Sequence, residues 1–284
     1  MGLCFFVSDL HGSKVRFEKL FQKIVEEKPE ILFLGGDIYP NPFSQDWHDK
    51  DFLEDFLING LRDLKKKLGD EYPKIFLILG NDDGRSDENR IIKYEKEGIW
   101  EYIHNKKIEI DGYTVYGYSF IPPSPFRLKD WEKYDVSRYV DLGCVSPEEG
   151  VRTVKVSDYE MKYSTIKKDL EELITAEDLS KTIILFHSPP YKTKLDRAAL
   201  DGKSIDSAPL DVHVGSIAIQ KFIEKRSPYL TLHGHIHEST RLMGDFRDKI
   251  NNSVMLNAAH EDREELCLIK FQLEDLSTIT REIV

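Results

Sequence analysis

The sequence predicts an α/β domain built on parallel strands, and two observations carry that prediction. Short apolar runs alternate with helix-period segments through the first third of the chain, and run after run ends at an Asp, an Asn or a His. Strand–helix–strand units of this length imply right-handed crossovers between parallel strands.

Taken in order, Leu3 to Ser8 is an apolar run that stops at Asp9. Lys14 to Glu27 carries Val15, Phe17, Leu20, Phe21, Ile24 and Val25 at helical spacing, and Pro29 ends it. Ile31 to Leu34 is a second strand, closed by Gly35-Gly36-Asp37. Asp51 to Leu68 reads as a helix with Lys65, Lys66 and Lys67 in its last turn, where cations suit the macrodipole. Ile75 to Leu79 is a third strand, followed by Gly80-Asn81-Asp82-Asp83. Lys107 to Ile110 and Thr114 to Tyr118 flank Asp111-Gly112, a hairpin signal. Ser119 to about Tyr163 breaks the rhythm with prolines and aromatics and reads as a cap-like insertion. A helix over Ser164 to Ile174 leads to a strand at Thr182 to Phe186 that ends at His187. A helix at Gly215 to Glu224 precedes a strand at Tyr229 to Leu232 and the block Gly234-His235-Ile236-His237. Val254 to Asn257 and Leu266 to Phe271 are expected as closing antiparallel strands. With no internal repeat or linker, residues 1–284 are expected to form one domain with an insertion at about 119–163.

Composition narrows the function classes. No apolar run approaches the ~20 residues that span a bilayer, and the N-terminus reads as a strand rather than a signal segment. Three scattered cysteines, Cys4, Cys144 and Cys267, fit reduced thiols and a cytoplasmic location. Forty basic residues against 51 acidic ones give a formal charge of −11. That surface repels a nucleic-acid backbone, so long nucleic acid is disfavoured as a partner and a small phosphorylated molecule is favoured. Oligomeric state is not legible in these numbers.

The residues at the strand ends share one chemistry. Asp9 and His11, Asp37, Asn81, His187, and His235 with His237 should converge in the crevice beyond the carboxyl ends of the strands. Carboxylate, amide and imidazole ligands suit Mn, Fe, Zn or Ni. The set is too large for one tetrahedral ion and suits two ions sharing a carboxylate. Each block has a bland alternative: Asp9 as a helix cap, Asn81 as a turn residue, His187 as a satisfied core histidine. The spacing of His235 and His237 places both on one face of a strand. His48 and His104 read as solvent-facing, and His233 receives no role.

The blocks Asp9-x-His11, Gly36-Asp37, Gly80-Asn81-Asp82, His187 and Gly234-His235-x-His237 resemble, in order, the signature motifs of calcineurin-like metallophosphoesterases. The resemblance implies a four-layer α-β-β-α sandwich with a dinuclear metal site at the strand ends. It implies one ion on Asp9, His11 and His237, a second on Asn81, His187 and His235, and Asp37 bridging them. The activity it implies is hydrolysis of a small phosphodiester or phosphomonoester by a metal-bridging hydroxide.

One position departs from the pattern. The third block usually reads Gly-Asn-His, with the His assisting the leaving group, and here it reads Gly80-Asn81-Asp82. A carboxyl beside dications is expected to stay ionised and to be a poor acid near neutral pH. Asp82 and His213 are therefore the candidate catalytic residues, with His260 an alternative to His213. The competing reading is a catalytically weak relative that uses the fold as a binding scaffold. Nuclease activity has the right metal chemistry and the wrong surface charge.

Overall fold

The computed structural model describes residues 2–40 and 51–284, so His48 lies outside the described residues. Two six-stranded sheets face each other. The first contains β1 (Leu3–Val7), β2 (Ile31–Gly35), β3 (Lys74–Ile78) and β4 (Glu101–Tyr102), with β13 (Cys267–Gln272) and β14 (Asp275–Ile283) on the other side of β1. The second contains β5 (Lys107–Ile110), β6 (Tyr113–Tyr118), β7 (Thr182–Phe186), β10 (Leu230–His233), β12 (Ser253–Asn257) and β11 (Arg247–Ile250). A small hairpin, β8 (Ser204–Ile205) and β9 (Ala208–Pro209), stands apart.

Strand alternation builds the layers. Cys4 and Phe6 of β1, Phe33 of β2 and Phe76 of β3 pack with Ile183, Leu185, Leu230, Leu232 and Leu256 to form the core between the sheets. The alternate residues Phe5, Val7, Leu32, Leu34 and Leu77 turn outward onto α1 (Lys14–Glu27), α2 (Asn59–Leu68) and α3 (Glu88–Lys96). Tyr116, Tyr118, Ile184 and Phe186 do the same toward α5 (Ile166–Leu173) and α6 (Ile217–Arg226). Strands buried on both faces must be apolar throughout, which is why they read as continuous runs rather than alternating ones. The result is the expected α-β-β-α sandwich.

Several local expectations need correction. The helix expected from Asp51 opens as a π-helical turn, Phe52–Ile58, before becoming α2. The closing strands do not pair with each other. β12 runs parallel to β10 and antiparallel to β11, whereas β13 is antiparallel to β1 in the other sheet. His104 is buried, not solvent-facing. Its Nδ1 accepts from the Ser119 amide at 3.0 Å, its ring packs against Trp131 and Phe120, and burial holds it well below the usual imidazole range.

The segment 119–163 joins the main core through Phe120 and Trp131. Trp131 is fully buried against Phe120. Lys129 and Glu132, both without exposed side-chain surface, pair at 2.5 Å, and Ser124 donates to Glu132 from its amide and hydroxyl. Two carboxylates tie this segment to the rest of the chain. Asp130 accepts from the amides of Arg85 and Thr153, and Asp135 accepts from Ser216 Oγ and the Ile217 amide at the start of α6. Within it, α4 (Asp158–Tyr163) lies at the surface, with Tyr159 and Tyr163 exposed.

Candidate metal centre

The parallel ladders continue past the strand ends and aim the turns at one another. The Asp9 amide donates to Gly36 O at 3.0 Å and the His11 amide to Asp37 O at 2.8 Å, so the turns after β1 and β2 travel together. The Gly234 amide donates to His187 O at 3.0 Å and does the same for the turns after β10 and β7. Two contacts then join the sheets. His187 Nδ1 donates to Gly35 O at 2.8 Å, and the His235 amide reaches both Asp9 carboxylate oxygens at 3.1 Å.

The backbone is bent to make these turns. Asp9, His11, Asp37 and His235 all have positive φ, between 46° and 72°, a region that costs a non-glycine residue energy and is retained where surrounding structure demands it. The glycines of the blocks leave room. A Cβ on Gly80 would stand 2.3 Å from Asp37 Oδ1 and 2.6 Å from His187 Cε1, and one on Gly234 would stand 2.3 Å from Asp9 Oδ2. His235 and His237 follow β10 on this turn and are not on a strand face, because β10 ends at His233.

All seven ligand candidates come together. His237 Nε2 lies 3.2 Å from Asp9 Oδ1 and 3.3 Å from His11 Nε2. His187 Nε2 lies 3.0 Å from Asn81 Oδ1 and 3.3 Å from Asp37 Oδ2, and the His235 ring centre is 5.3 Å from that of His187. Asp37 Oδ2 is also 4.0 Å from His11 Nε2, which puts Asp37 between the two groups. Asp9 with His11 and His237, and Asp37 with His187 and His235, each place their ligand atoms within 4.8 Å of one another.

The donor set fits cations. Because His187 Nδ1 carries the hydrogen given to Gly35 O, its Nε2 presents a lone pair toward a carboxylate oxygen and an amide oxygen. Three acceptors facing one another need a proton or a metal ion among them. The protein's own charges show the same demand. Burial opposes ionisation of Asp9 and Asp37, yet the surrounding imidazoles, His237 for Asp9 and His187 for Asp37, hold both below the usual carboxylate range. Burial lowers His187, but the Asp37 carboxylate more than offsets it and pushes the imidazole up to about 10. Burial pulls His235 down to about 3, with His187 beside it adding to the effect, so His235 offers a neutral nitrogen.

Asp82 sits at the rim. Its Oδ1 accepts from Asn81 Nδ2 at 2.9 Å, its Oδ2 lies 3.6 Å from His11 Nδ1, and burial followed by the Asp37 charge pushes it up to about 7. Without ions burial thus works against its charge, whereas the ionised form expected from the sequence is that of a carboxyl beside two dications. His213 is held by Asp196 at 2.7 Å, and none of the seven ligand candidates is among its hydrogen-bond partners. His260 pairs with Glu265 at 2.9 Å.

Further residues hold the turns, and sequence reading missed Arg16 and Asn257 among them. Asp83, fully buried, accepts from the amides of Ile38 at 2.9 Å, Tyr39 at 2.8 Å and Gly80 at 2.8 Å, joining the Asp37 turn to the Asn81 turn. Arg16, buried on α1, donates to Asp9 O at 2.6 Å and to the His260 and Asp262 carbonyls. Asn257 donates to Ile236 O, between the two histidines. The available signals were a charge in the apolar phase of a helix and a polar residue closing an apolar strand. The helix cap is Ser13, which frees Asp9 from that role.

A sequence model of the calcineurin-like phosphoesterase family matches residues 4–239. The chain belongs to this family. Curated protein sequences give no match. Among solved structures, TT1561 of Thermus thermophilus aligns with a TM-score of 0.53 at 14% identity, covering 99% of this chain and 98% of that one. A dimetal phosphatase from Danio rerio aligns with a TM-score of 0.50 at 10% identity, covering 94% and 91%. At such identities these likenesses concern the fold. Family membership and the clustered donors make this calcineurin-like phosphoesterase a metal-dependent phosphoesterase of the dimetal type. Among the described residues no helix is long and apolar enough to cross a membrane.

Proposed function

We propose that this calcineurin-like phosphoesterase hydrolyses small phosphodiesters, cyclic nucleotides and aryl diesters among them, in preference to phosphomonoesters. The observation that carries the reading is the convergence of Asp9, His11, Asp37, Asn81, His187, His235 and His237 at the strand ends. In this proposal Asp9, His11 and His237 would hold one transition-metal ion, Asn81, His187 and His235 would hold the other, and Asp37 would serve both. Mn, Fe, Zn and Ni all suit these donors. Two such ions would supply Lewis acidity for the phosphoryl oxygens and a hydroxide nucleophile at neutral pH.

The chain's own residues do the rest. His187, fixed through Gly35 O, and Asp9, fixed through the His235 amide, cannot rotate away from the crevice. Asp83 keeps the Asp37 and Asn81 turns in register. The formal charge of −11 favours a small, freely diffusing ester in a cytoplasmic setting over a long polyanion. Asp82 in place of a basic side chain removes one counter-charge for a dianionic monoester, which favours the singly charged diester. It also motivates the competing reading of a weak enzyme used as a binding scaffold.

Hydrolysis of bis(4-nitrophenyl) phosphate and 4-nitrophenyl phosphate with Mn²⁺, Ni²⁺, Zn²⁺ or Fe²⁺ tests the proposal. A higher kcat/KM for the diester supports it. A higher value for the monoester overturns the substrate class, and metal-loaded protein that turns over neither ester supports the scaffold.

A further inference from the structure

A second carboxylate–imidazole pair lies outside the ligand cluster. Asp196 is fully buried and accepts from the amides of Lys192 at 3.0 Å, Thr193 at 3.0 Å and Gly215 at 3.1 Å. Its remaining partner is His213 Nδ1 at 2.7 Å. A carboxylate only accepts, so Nδ1 carries the hydrogen and Nε2 is the nitrogen that Asp196 leaves unused. The His213 side chain is 22% exposed, so the ring is partly open to solvent. The ring is steadied edge-on by Tyr191, whose hydroxyl donates to Asp211 at 2.6 Å.

This pair is braced against the turns that carry the ligand candidates. Ser216 exchanges hydrogen bonds with Pro189 O and the Tyr191 amide, which ties the segment to the chain leaving His187. Asn257 Nδ2 donates both to Leu195 O, just before Asp196, and to Ile236 O, between His235 and His237. Glu238, next to His237, accepts from the Ala199 amide. A buried carboxylate fixed by three loop amides and bonded to one partly exposed imidazole is the arrangement that fixes tautomer and orientation in acid–base pairs. Asp82 competes poorly, since its oxygens are turned toward Asn81 and His11.

We infer that His213 is the proton donor to the leaving group and that Asp196 is its positioning residue. The assignment rests on the phosphoester-hydrolysis reading above. A hydroxide oxygen bonds to phosphorus while the bond from phosphorus to the ester oxygen breaks, its electron pair staying on the departing oxygen. The Nε2 proton of the His213 imidazolium neutralises that oxygen. His213 is left neutral with its Nδ1 hydrogen on Asp196, and water returns the proton. Such a donor matters for alkyl leaving groups, which are strong bases when they depart, and little for 4-nitrophenolate. The substrates it equips the enzyme for are diesters of sugar hydroxyls.

Two measurements test it. In the metal-free protein, long-range ¹H–¹⁵N spectra should show His213 protonated at Nδ1, and Asp196→Asn should move the neutral ring to the other tautomer. A neutral ring protonated at Nε2 in the wild type overturns the assignment. In Mn²⁺-loaded protein, His213→Ala and Asp196→Asn should each lower kcat for 3′,5′-cyclic AMP by about 100-fold, and kcat for bis(4-nitrophenyl) phosphate by less than tenfold. Equal losses on both esters, or no loss on the cyclic nucleotide, overturn it. So does a wild type that cleaves the aryl ester alone, because a working donor would make the alkyl ester cleavable. A wild type that binds metal and cleaves neither ester removes the phosphoesterase reading, and the donor falls with it.

Discussion

Replacing Asp83 by Ala removes the acceptor of three amides, those of Ile38 and Gly80, which are buried, and of Tyr39, which is partly buried, at 2.9, 2.8 and 2.8 Å. A buried donor left without a partner costs about 1–3 kcal/mol, and water entering the vacated space recovers part of it. The loss should therefore reach about 3–6 kcal/mol by the same reasoning, a large share of the ~5–15 kcal/mol typical of a domain. One term works the other way. Burial and the neighbouring Asp37 charge push Asp83 well above the usual carboxylate range, so an uncharged side chain relieves some repulsion. Asp83→Asn separates the two effects. It keeps an oxygen for Ile38 and Tyr39 and turns its amide toward the Gly80 N–H, with an expected loss of about 1–3 kcal/mol. Urea unfolding by circular dichroism, in EDTA so that bound ions do not add stability, gives both values. Destabilisation of the Ala variant by less than about 0.5 kcal/mol, the range of an ordinary surface change, would refute the claim that Asp83 holds the turns together.

Gly80→Ala places a methyl 2.3 Å from Asp37 Oδ1 and 2.6 Å from His187 Cε1. It should cut Mn²⁺ affinity at least tenfold with little change in far-UV circular dichroism, and titration calorimetry reads it. Lys129→Met leaves Glu132 buried without its cation. It should cost about 3–5 kcal/mol, whereas Lys129→Met with Glu132→Leu should recover most of that in the same urea assay. His104, held neutral by burial, contributes stability that is complete above its unfolded pKa of about 6.5 and is lost as pH falls below it. The slope from this one group should approach about 1.4 kcal/mol per pH unit and vanish in His104→Phe, as urea midpoints between pH 7 and pH 5 will show.

The layers were legible because strands buried on both faces are apolar without interruption. Ile31 to Leu34 and Thr182 to Phe186 could not be mistaken for surface segments. The ligand candidates were legible because parallel strands place their carboxyl ends together, so polar residues that stop apolar runs must meet. What stayed hidden depends on long-range pairing. The partner of β12 is set by β10 and β11, and nothing within Val254 to Asn257 states a direction. His104 reads like any loop histidine until the insertion folds Trp131 over it. Asp83, Arg16 and Asn257 each also reach a backbone atom far away in sequence, Ile38 N, His260 O and Ile236 O, and such contacts leave no spacing signal. Asp196 lies 17 residues from His213, in a loop whose only local cue is its polarity.

The central claim is a dinuclear centre bridged by Asp37. Metal analysis of protein equilibrated with Mn²⁺ and freed of excess ion, run in parallel on the wild type and Asp37→Ala, tests it most directly. The account predicts two ions per chain in the wild type and no more than one in the variant. A single ion per wild-type chain, or two ions retained without the Asp37 carboxylate, would contradict it.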